Sequence, residues 1–97
     1  MGTSSRPRPR RLAEKLLRIR LALNLSQNEL ISRLSYSGEL FQGSVSAYER
    51  GKREPSLLLL LRYAELAGVC VDVLINDDLE LPSRLPGRPK HGGHIRG

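Results

Sequence analysis

Apolar residues recur along most of the chain at helical rather than strand spacing. Near the N-terminus they fall on one narrow stripe, formed by Leu12, Leu16, Ile19 and Leu23. This stripe predicts a first helix from about Arg11 to Leu23. No stretch alternates apolar and polar residues with the period of two that marks a half-buried strand.

Capping and helix-ending residues delimit the helices that follow. Ser26 and Glu29 have the spacing of a capping box, and Ser56 is a second N-cap candidate. Gly51 and Gly68 stand where helix-ending glycines belong. The predicted helices cover about 26–34, 42–50, 56–68 and 71–75. The sequence therefore predicts an all-α domain of five short helices.

Composition divides the chain into a domain and two arms. Its 97 residues suit one domain. Residues 1–10 are rich in Pro, Ser and Arg, and residues 82–97 in Gly, Pro and basic side chains. Such segments bury too little apolar surface to fold. We therefore expect a helical domain over 11–81 between two disordered basic arms.

Charge is distributed unevenly along the chain. The formal net charge is +6, yet residues 12–81 carry eight basic and ten acidic side chains, so the excess lies in the arms. Within the domain, the basic side chains of Arg50, Lys52 and Arg53 cluster, whereas acidic residues gather over 72–80. One side of the domain therefore suits a polyanion and the other does not.

Several function classes fit the sequence poorly. Cys70 is the single cysteine, so an internal disulfide is excluded, and the apolar run 57–61 is too short to cross a membrane. His91 and His94 lie in the C-terminal arm with no cysteine nearby, which makes a poor metal site. No catalytic triad or glycine-rich phosphate loop is evident. We expect a cytoplasmic protein that is not an enzyme and needs no metal or cofactor; the charged N-terminus does not fit a signal peptide.

Four segments in order carry a family resemblance: LSQNEL at 25–30, QGSVSAYERGKR at 42–53, EPSL at 54–57 and LAGV at 66–69. Together they resemble the Cro/repressor-type helix-turn-helix proteins, also called the xenobiotic-response-element family. The resemblance extends from Leu12 to about Leu81. It implies a transcriptional regulator whose partner is double-stranded DNA.

The resemblance also implies roles for individual residues. The third helix would enter the major groove, with Val45 and Tyr48 facing the core. Glutamine suits the base-reading role because it can bond adenine N6 and N7 together. The implied base contacts are Gln42, Gly43, Ser46 and Ala47. The implied phosphate contacts are Gln27, Ser44, Arg50, Lys52 and Arg53. The resemblance further pairs Arg20 with Glu49 in a structural contact between the first and third helices.

Two departures from the family pattern are visible. The turn over 35–41 is about four residues longer than the family's tight turn, and its extra residues either touch DNA or bulge away. Phe41 stands where a Ser or Thr cap is usual.

Surplus apolar residues suggest self-association. If Leu57, Leu60, Leu61 and Ala64 fill the inward stripe of the fourth helix, other apolar side chains are left over. The dimer-interface candidates are Leu58, Leu59, Val73 and Ile75. The alternative is looser burial within the monomer.

We expect a homodimeric repressor on a two-fold-related operator. A restriction–modification controller, or an antitoxin with a protein partner, would share the fold. An interaction module that does not use DNA is a further alternative.

Overall fold

The computed structural model describes residues 9–36 and 40–87. Within these ranges every regular element is a helix, which confirms the all-α prediction. The helices are α1 (Leu12–Ala22), α2 (Gln27–Leu34), α3 (Gln42–Glu49), α4 (Leu57–Ala67) and α5 (Val71–Ile75). Each lies within about two residues of its sequence-predicted bounds.

Serine side chains begin α2 and α4, as the sequence predicts. The Glu29 N–H donates to Ser26 Oγ at 3.1 Å, and the Ser26 N–H donates to Glu29 Oε1 at 2.8 Å, which completes the capping box. Ser56 Oγ accepts from the Leu59 N–H at 3.2 Å. These bonds satisfy backbone donors that a helix start otherwise leaves unpaired.

The core lies where the five helices meet. Its centre is formed by side chains with almost no exposed surface, including Leu16, Ile19, Leu30, Val45 and Leu74. The stripe predicted for the first helix is buried throughout, from Leu12 to Leu23. Dense apolar packing of this kind supplies most of the stability of short helices.

The register of α4 differs from the prediction. Leu59 is 1% exposed and belongs to the core, whereas Leu57 is 80% exposed. The buried face consists of Leu59, Leu60, Tyr63, Ala64 and Ala67. Leu59 is therefore not available as a dimer-interface residue, because its side chain is enclosed by the other helices of the same chain.

Lys15 is a buried cation that the apolar pattern does not reveal. Its side chain is fully buried, and Nζ donates to the carbonyl oxygens of Val73, Asn76 and Leu79 at 2.8, 3.0 and 2.8 Å. All three ammonium N–H groups thus have acceptors. Because these carbonyls lie in and just after α5, the cation also complements the negative end of that helix.

A second contact ties the start of α1 to the loop after α5. The carboxylate of Asp77 accepts from the backbone N–H groups of Arg10 and Arg11, at 2.9 and 3.0 Å. The Arg11 guanidinium donates two hydrogen bonds to the Glu80 carboxylate, at 2.8 and 2.9 Å. Arg11 therefore belongs to the folded body, and Asp77 anchors the residues that directly precede α1.

The chain packs against the helices beyond Leu81. Leu85 is partly buried against the core, and the Gly87 N–H donates to the Ala67 carbonyl at 2.9 Å. Gly68 ends α4 with φ +78°, and a Cβ there would meet Pro86 at 2.9 Å. Residues 82–87 are therefore part of the folded body rather than of a disordered arm. Residues 1–8 and 88–97 of the two predicted arms lie outside the described residues.

Acidification should test the Asp77 contact. Hydrogen bonds from the Arg10 and Arg11 backbone hold the pKa of Asp77 below its ordinary value, and the Arg11 side chain does the same for the pKa of Glu80. A carboxylate with a lowered folded-state pKa stabilises the fold above its unfolded pKa of about 4, and the contribution disappears as the pH falls through the folded pKa.

We therefore expect Asp77→Asn to lower the melting temperature by a few degrees at pH 7 and to flatten its decline below about pH 4. Thermal unfolding followed by circular dichroism between pH 3 and 7 measures both effects. Asp78→Asn is the control, since the side chain of Asp78 is exposed and accepts no such backbone bonds in the described structure. Equal melting curves for the two variants would contradict the anchoring role of Asp77.

Candidate DNA interface

The outer surface of α3 is small and polar. The helix has eight residues, which at 1.5 Å per residue gives about 12 Å, a length that fits the major groove. Val45 and Tyr48 are buried, as predicted. Gln42 and Gly43 are exposed, and a Cβ at Gly43 would meet nothing within 4 Å. A base edge can therefore approach the backbone closely at this end of the helix.

The remaining implied base contacts follow Gln42 along the same helix. Ser46 and Ala47 are partly exposed, in line with an outward face between the two buried residues. Both side chains are short, so they leave the helix backbone accessible along its length. This arrangement assigns most of the hydrogen-bonding capacity of the surface to Gln42.

Ser44 does not fit the phosphate-contact role. Its side chain is only 8% exposed, and Oγ accepts a long hydrogen bond of 3.5 Å from the Phe41 N–H. Spacing explains the difference, because Ser44 lies four residues before the buried Tyr48 and therefore shares its side of α3. We therefore remove Ser44 from the candidate set.

Glu49 joins three helices at the end of α3. Arg20 in α1 donates to it twice, from Nε to Oε2 at 2.7 Å and from Nη2 to Oε1 at 3.1 Å. Gln27, the first residue of α2, donates from Nε2 to Oε1 at 3.1 Å. Arg20 Nη1 also donates to the Leu25 carbonyl at 3.0 Å. The carboxylate thus fixes α3 relative to the start of α2.

The bond between Gln27 and Glu49 is a contact that the sequence does not predict. The family resemblance alone assigns Gln27 to a phosphate. In the structure one N–H of its carboxamide is used internally, while the side chain remains partly exposed. An NH₂ group has two donors, so the second can still reach an external acceptor.

The basic loop is held against the end of α3. Arg50, Lys52 and Arg53 are exposed, and the backbone N–H groups of Lys52 and Arg53 both point at the Ala47 carbonyl, at 2.9 and 3.4 Å. The Arg53 guanidinium lies 5.9 Å from the centroid of the Tyr48 ring, within cation–π range. Gly51 permits this turn with φ +74°. Three cations are thereby displayed beside α3 on a fixed backbone.

The long turn between α2 and α3 is packed at both described ends. The Tyr36 hydroxyl lies 3.1 Å from Ser56 Oγ, and Leu40 packs partly buried against the core. Phe41 makes no side-chain capping bond, as its chemistry dictates. Residues 37–39 of the extended turn, within the stretch expected either to touch DNA or to bulge, lie outside the described residues.

The dimer-interface candidates occupy different environments. Leu58 is 68% exposed and Ile75 is exposed, while Val73 is partly buried and Leu59 is enclosed. Leu57 and Leu61, predicted to point inward, are exposed instead. The exposed apolar surface of α4 is therefore centred on Leu57, Leu58 and Leu61.

Other chemistry has little support within residues 9–36 and 40–87. These ranges hold no group of three or more His, Cys, Asp or Glu side chains placed to bind a metal ion. Cys70 is exposed at the N-cap of α5. No helix in this part of the chain combines the length and apolar character needed to span a membrane.

Three features of this surface are typical of a small helical DNA-binding domain. The N-terminal residues of a short helix are exposed, a second helix is linked to it by hydrogen bonds, and cations lie beside it. A family model described as helix-turn-helix matches residues 16–74. The chain belongs to this family, in its Cro/repressor or xenobiotic-response-element type, which comprises DNA-binding regulators. Comparisons with curated proteins and with solved structures found no match.

Removal of the Glu49 carboxylate should loosen the interface. Glu49 and Arg20 side chains are 5% and 15% exposed, so Glu49→Ala leaves a largely buried guanidinium without its partner. We expect a loss of about 3 kcal/mol in the free energy of unfolding, the lower end of the range for a broken buried pair. Urea denaturation measures it.

Glu65→Ala is the matched control, because Glu65 pairs with Arg62 on the exposed surface of α4. Its loss should cost no more than about 0.5 kcal/mol. Similar costs for the two variants would show that Glu49 is not a structural anchor.

Proposed function

We propose that this protein is a transcriptional repressor that binds a two-fold-related operator as a homodimer, with α3 in the major groove. The observation that carries the proposal is the exposed Gln42–Gly43 end of α3, fixed by the contacts of Glu49 to α1 and α2. In helix-turn-helix proteins the N-terminal residues of the second helix meet the base edges. The family assignment makes duplex DNA the expected ligand.

Base reading falls mainly to Gln42. Its carboxamide can donate to adenine N7 and accept from adenine N6 together, a pairing that distinguishes adenine from the other bases. Gly43, Ser46 and Ala47 line the surface beside it and let the helix lie close to the bases. Since these three offer few hydrogen bonds, one domain discriminates weakly and a second copy raises specificity.

Phosphate contacts fall to residues on either side of α3. Gln27 stands at the N-terminus of α2, where backbone N–H groups also attract anions. Arg50, Lys52 and Arg53 provide three exposed cations from the loop that follows α3. These contacts position the domain without reading sequence.

The two described residues of the N-terminal arm, Pro9 and Arg10, lie beside the basic loop. Pro9 and Arg10 line a shallow cavity together with Gly51, Arg53 and Glu54. Arg6 and Arg8 precede them in the sequence. We therefore propose that the arm extends the cationic surface and adds affinity with little sequence preference.

Two substitutions should separate sequence reading from phosphate attraction. Gln42→Ala should reduce the preference for the operator over random duplex by roughly tenfold to a hundredfold, the range for one bidentate base contact. Arg53→Ala should instead weaken binding to both duplexes and lower the log–log salt slope by about 0.9, the change expected when one phosphate is no longer neutralised. Fluorescence anisotropy with a duplex selected from a random pool, measured at several salt concentrations, reports both quantities.

Arg18→Ala removes the same charge from an exposed position on α1 and should leave the slope unchanged. Equal effects of the two arginine substitutions would indicate a general charge effect. Salt-independent binding, or no duplex binding by the unaltered protein, would overturn the proposed function in favour of a protein-interaction module.

Dimerisation is proposed through the exposed apolar residues of α4 and α5. Leu58 and Leu61 line one groove with Tyr36, and Ile75 is exposed on the neighbouring helix. The acidic residues Asp77 and Glu80 are engaged by Arg10 and Arg11 on the side where α1 meets the α5 loop. Two copies on one operator would place half-site centres about 10–10.5 bp apart.

Sedimentation at micromolar concentration should show a dimer, and Leu58→Asp should convert it to a monomer, because a carboxylate would be buried in the interface. Leu21→Asp is the matched control on α1, where Leu21 is also exposed. A monomeric unaltered protein that binds half-site and full-site duplexes equally well would refute the dimer.

A further inference from the structure

Phe41 is an exposed aromatic residue at the tip of the candidate reading helix. Its backbone begins α3, since its carbonyl accepts from the N–H groups of Ser44 and Val45 at 2.9 and 3.2 Å. Its ring takes no part in capping and is 60% exposed. The fold therefore uses the backbone of Phe41 and leaves its side chain in contact with solvent.

The surroundings of Phe41 indicate what covers this ring. Phe41, Gln42 and Gly43 are three consecutive exposed residues at the end of α3 that the proposed function directs at base edges. The space above Gly43 is open. Three cations stand at the opposite end of the same helix, so the nearest expected ligand is nucleic acid rather than an apolar protein surface.

We infer that Phe41 is a specificity-determining residue that packs on the C5-methyl group of a thymine next to the adenine read by Gln42. The major-groove edges of the bases present donors and acceptors, and the thymine methyl is the apolar group among them. A phenylalanine ring makes no conventional hydrogen bond, so methyl contact is the readout its chemistry allows. This inference rests on the proposed function, because it requires α3 to enter the major groove.

Wedging of the ring between base pairs is less consistent with this position. Apolar wedges act from the minor groove and kink the duplex. Phe41 directly precedes Gln42 at the start of α3, so in the proposed complex its ring lies at the major-groove edge of the same bases.

Replacement of thymine by deoxyuridine tests the inference, because it removes the methyl group and keeps the O4 acceptor. In the duplex selected from a random pool, each thymine of a half-site is replaced in turn. We expect one replacement per half-site to weaken binding by about fourfold, the factor that corresponds to about 0.8 kcal/mol for one methyl-sized group. Phe41→Ala should bind the thymine and deoxyuridine duplexes equally, and Phe41→Leu should retain part of the preference.

Leu21→Ala, which shortens a similarly exposed apolar side chain on α1, should keep the full preference of the unaltered protein. Circular dichroism of each variant verifies folding. Equal affinity of the unaltered protein for all deoxyuridine duplexes, or an unchanged preference in Phe41→Ala, would overturn the inference while leaving the proposed function in place. A change of sedimentation in Phe41→Ala with the preference intact would assign the ring to an interface between copies. Absence of any selected sequence would overturn both proposals.

Discussion

The carboxylate of Glu49 is the group on which the geometry of the candidate DNA interface depends. It receives hydrogen bonds from Arg20 in α1 and Gln27 in α2, while its own backbone ends α3. In the proposed complex, a mobile α3 would leave the position of Gln42 relative to a base edge poorly defined, and a hydrogen bond tolerates errors of only a few tenths of an ångström. Because the Arg20–Glu49 pair is nearly enclosed, salt weakens the attraction between its two charges only slightly. Glu49 therefore contributes both to the stability of the domain and to the position of α3.

Stability at the opposite end of the domain comes from polar groups that a hydrophobic pattern cannot reveal. Lys15 lies on the same face of α1 as Leu12 and Leu16, yet it is a cation fully enclosed by carbonyl groups. Asp77 holds the backbone that leads into α1, more than sixty residues earlier in the chain. Tyr63 adds a contrasting case: within the described residues its buried hydroxyl has no hydrogen-bond partner, and burial raises the pKa of the phenol.

Local signals explain what the sequence could predict. The capping box at Ser26, the cap at Ser56 and the helix-ending Gly68 each act within one turn, and all three helix ends lie where these signals place them. The orientation of Val45 and Tyr48 follows from a single clear period in α3. Tertiary contacts such as that of Lys15 with the carbonyls in and after α5 join residues distant in sequence, and no spacing rule predicts them.

The buried face of α4 is a case that hydrophobic periodicity cannot predict. Five consecutive leucines present no contrast between apolar and polar positions, so the run 57–61 fits several orientations equally well. The contrast lies just beyond it: Arg62 and Glu65 are exposed, while Tyr63, Ala64 and Ala67 are buried. Extending the pattern backwards from these residues places Leu59 and Leu60 inside. Ser44 is misplaced for a different reason, because a role assigned by resemblance takes no account of the side of α3 that the residue occupies.

The enclosure of Lys15 has a practical consequence for chemical probing of this protein. The sequence contains three lysines, Lys15, Lys52 and Lys90, and the first is sealed beneath α5 while the second is exposed in the basic loop. An amine-directed reagent applied to the folded protein therefore distinguishes the two by accessibility alone. Within the helical domain, modification of the folded protein therefore occurs at Lys52. Protection of this amine reports that a ligand covers the basic loop, and modification of Lys15 identifies molecules that have unfolded.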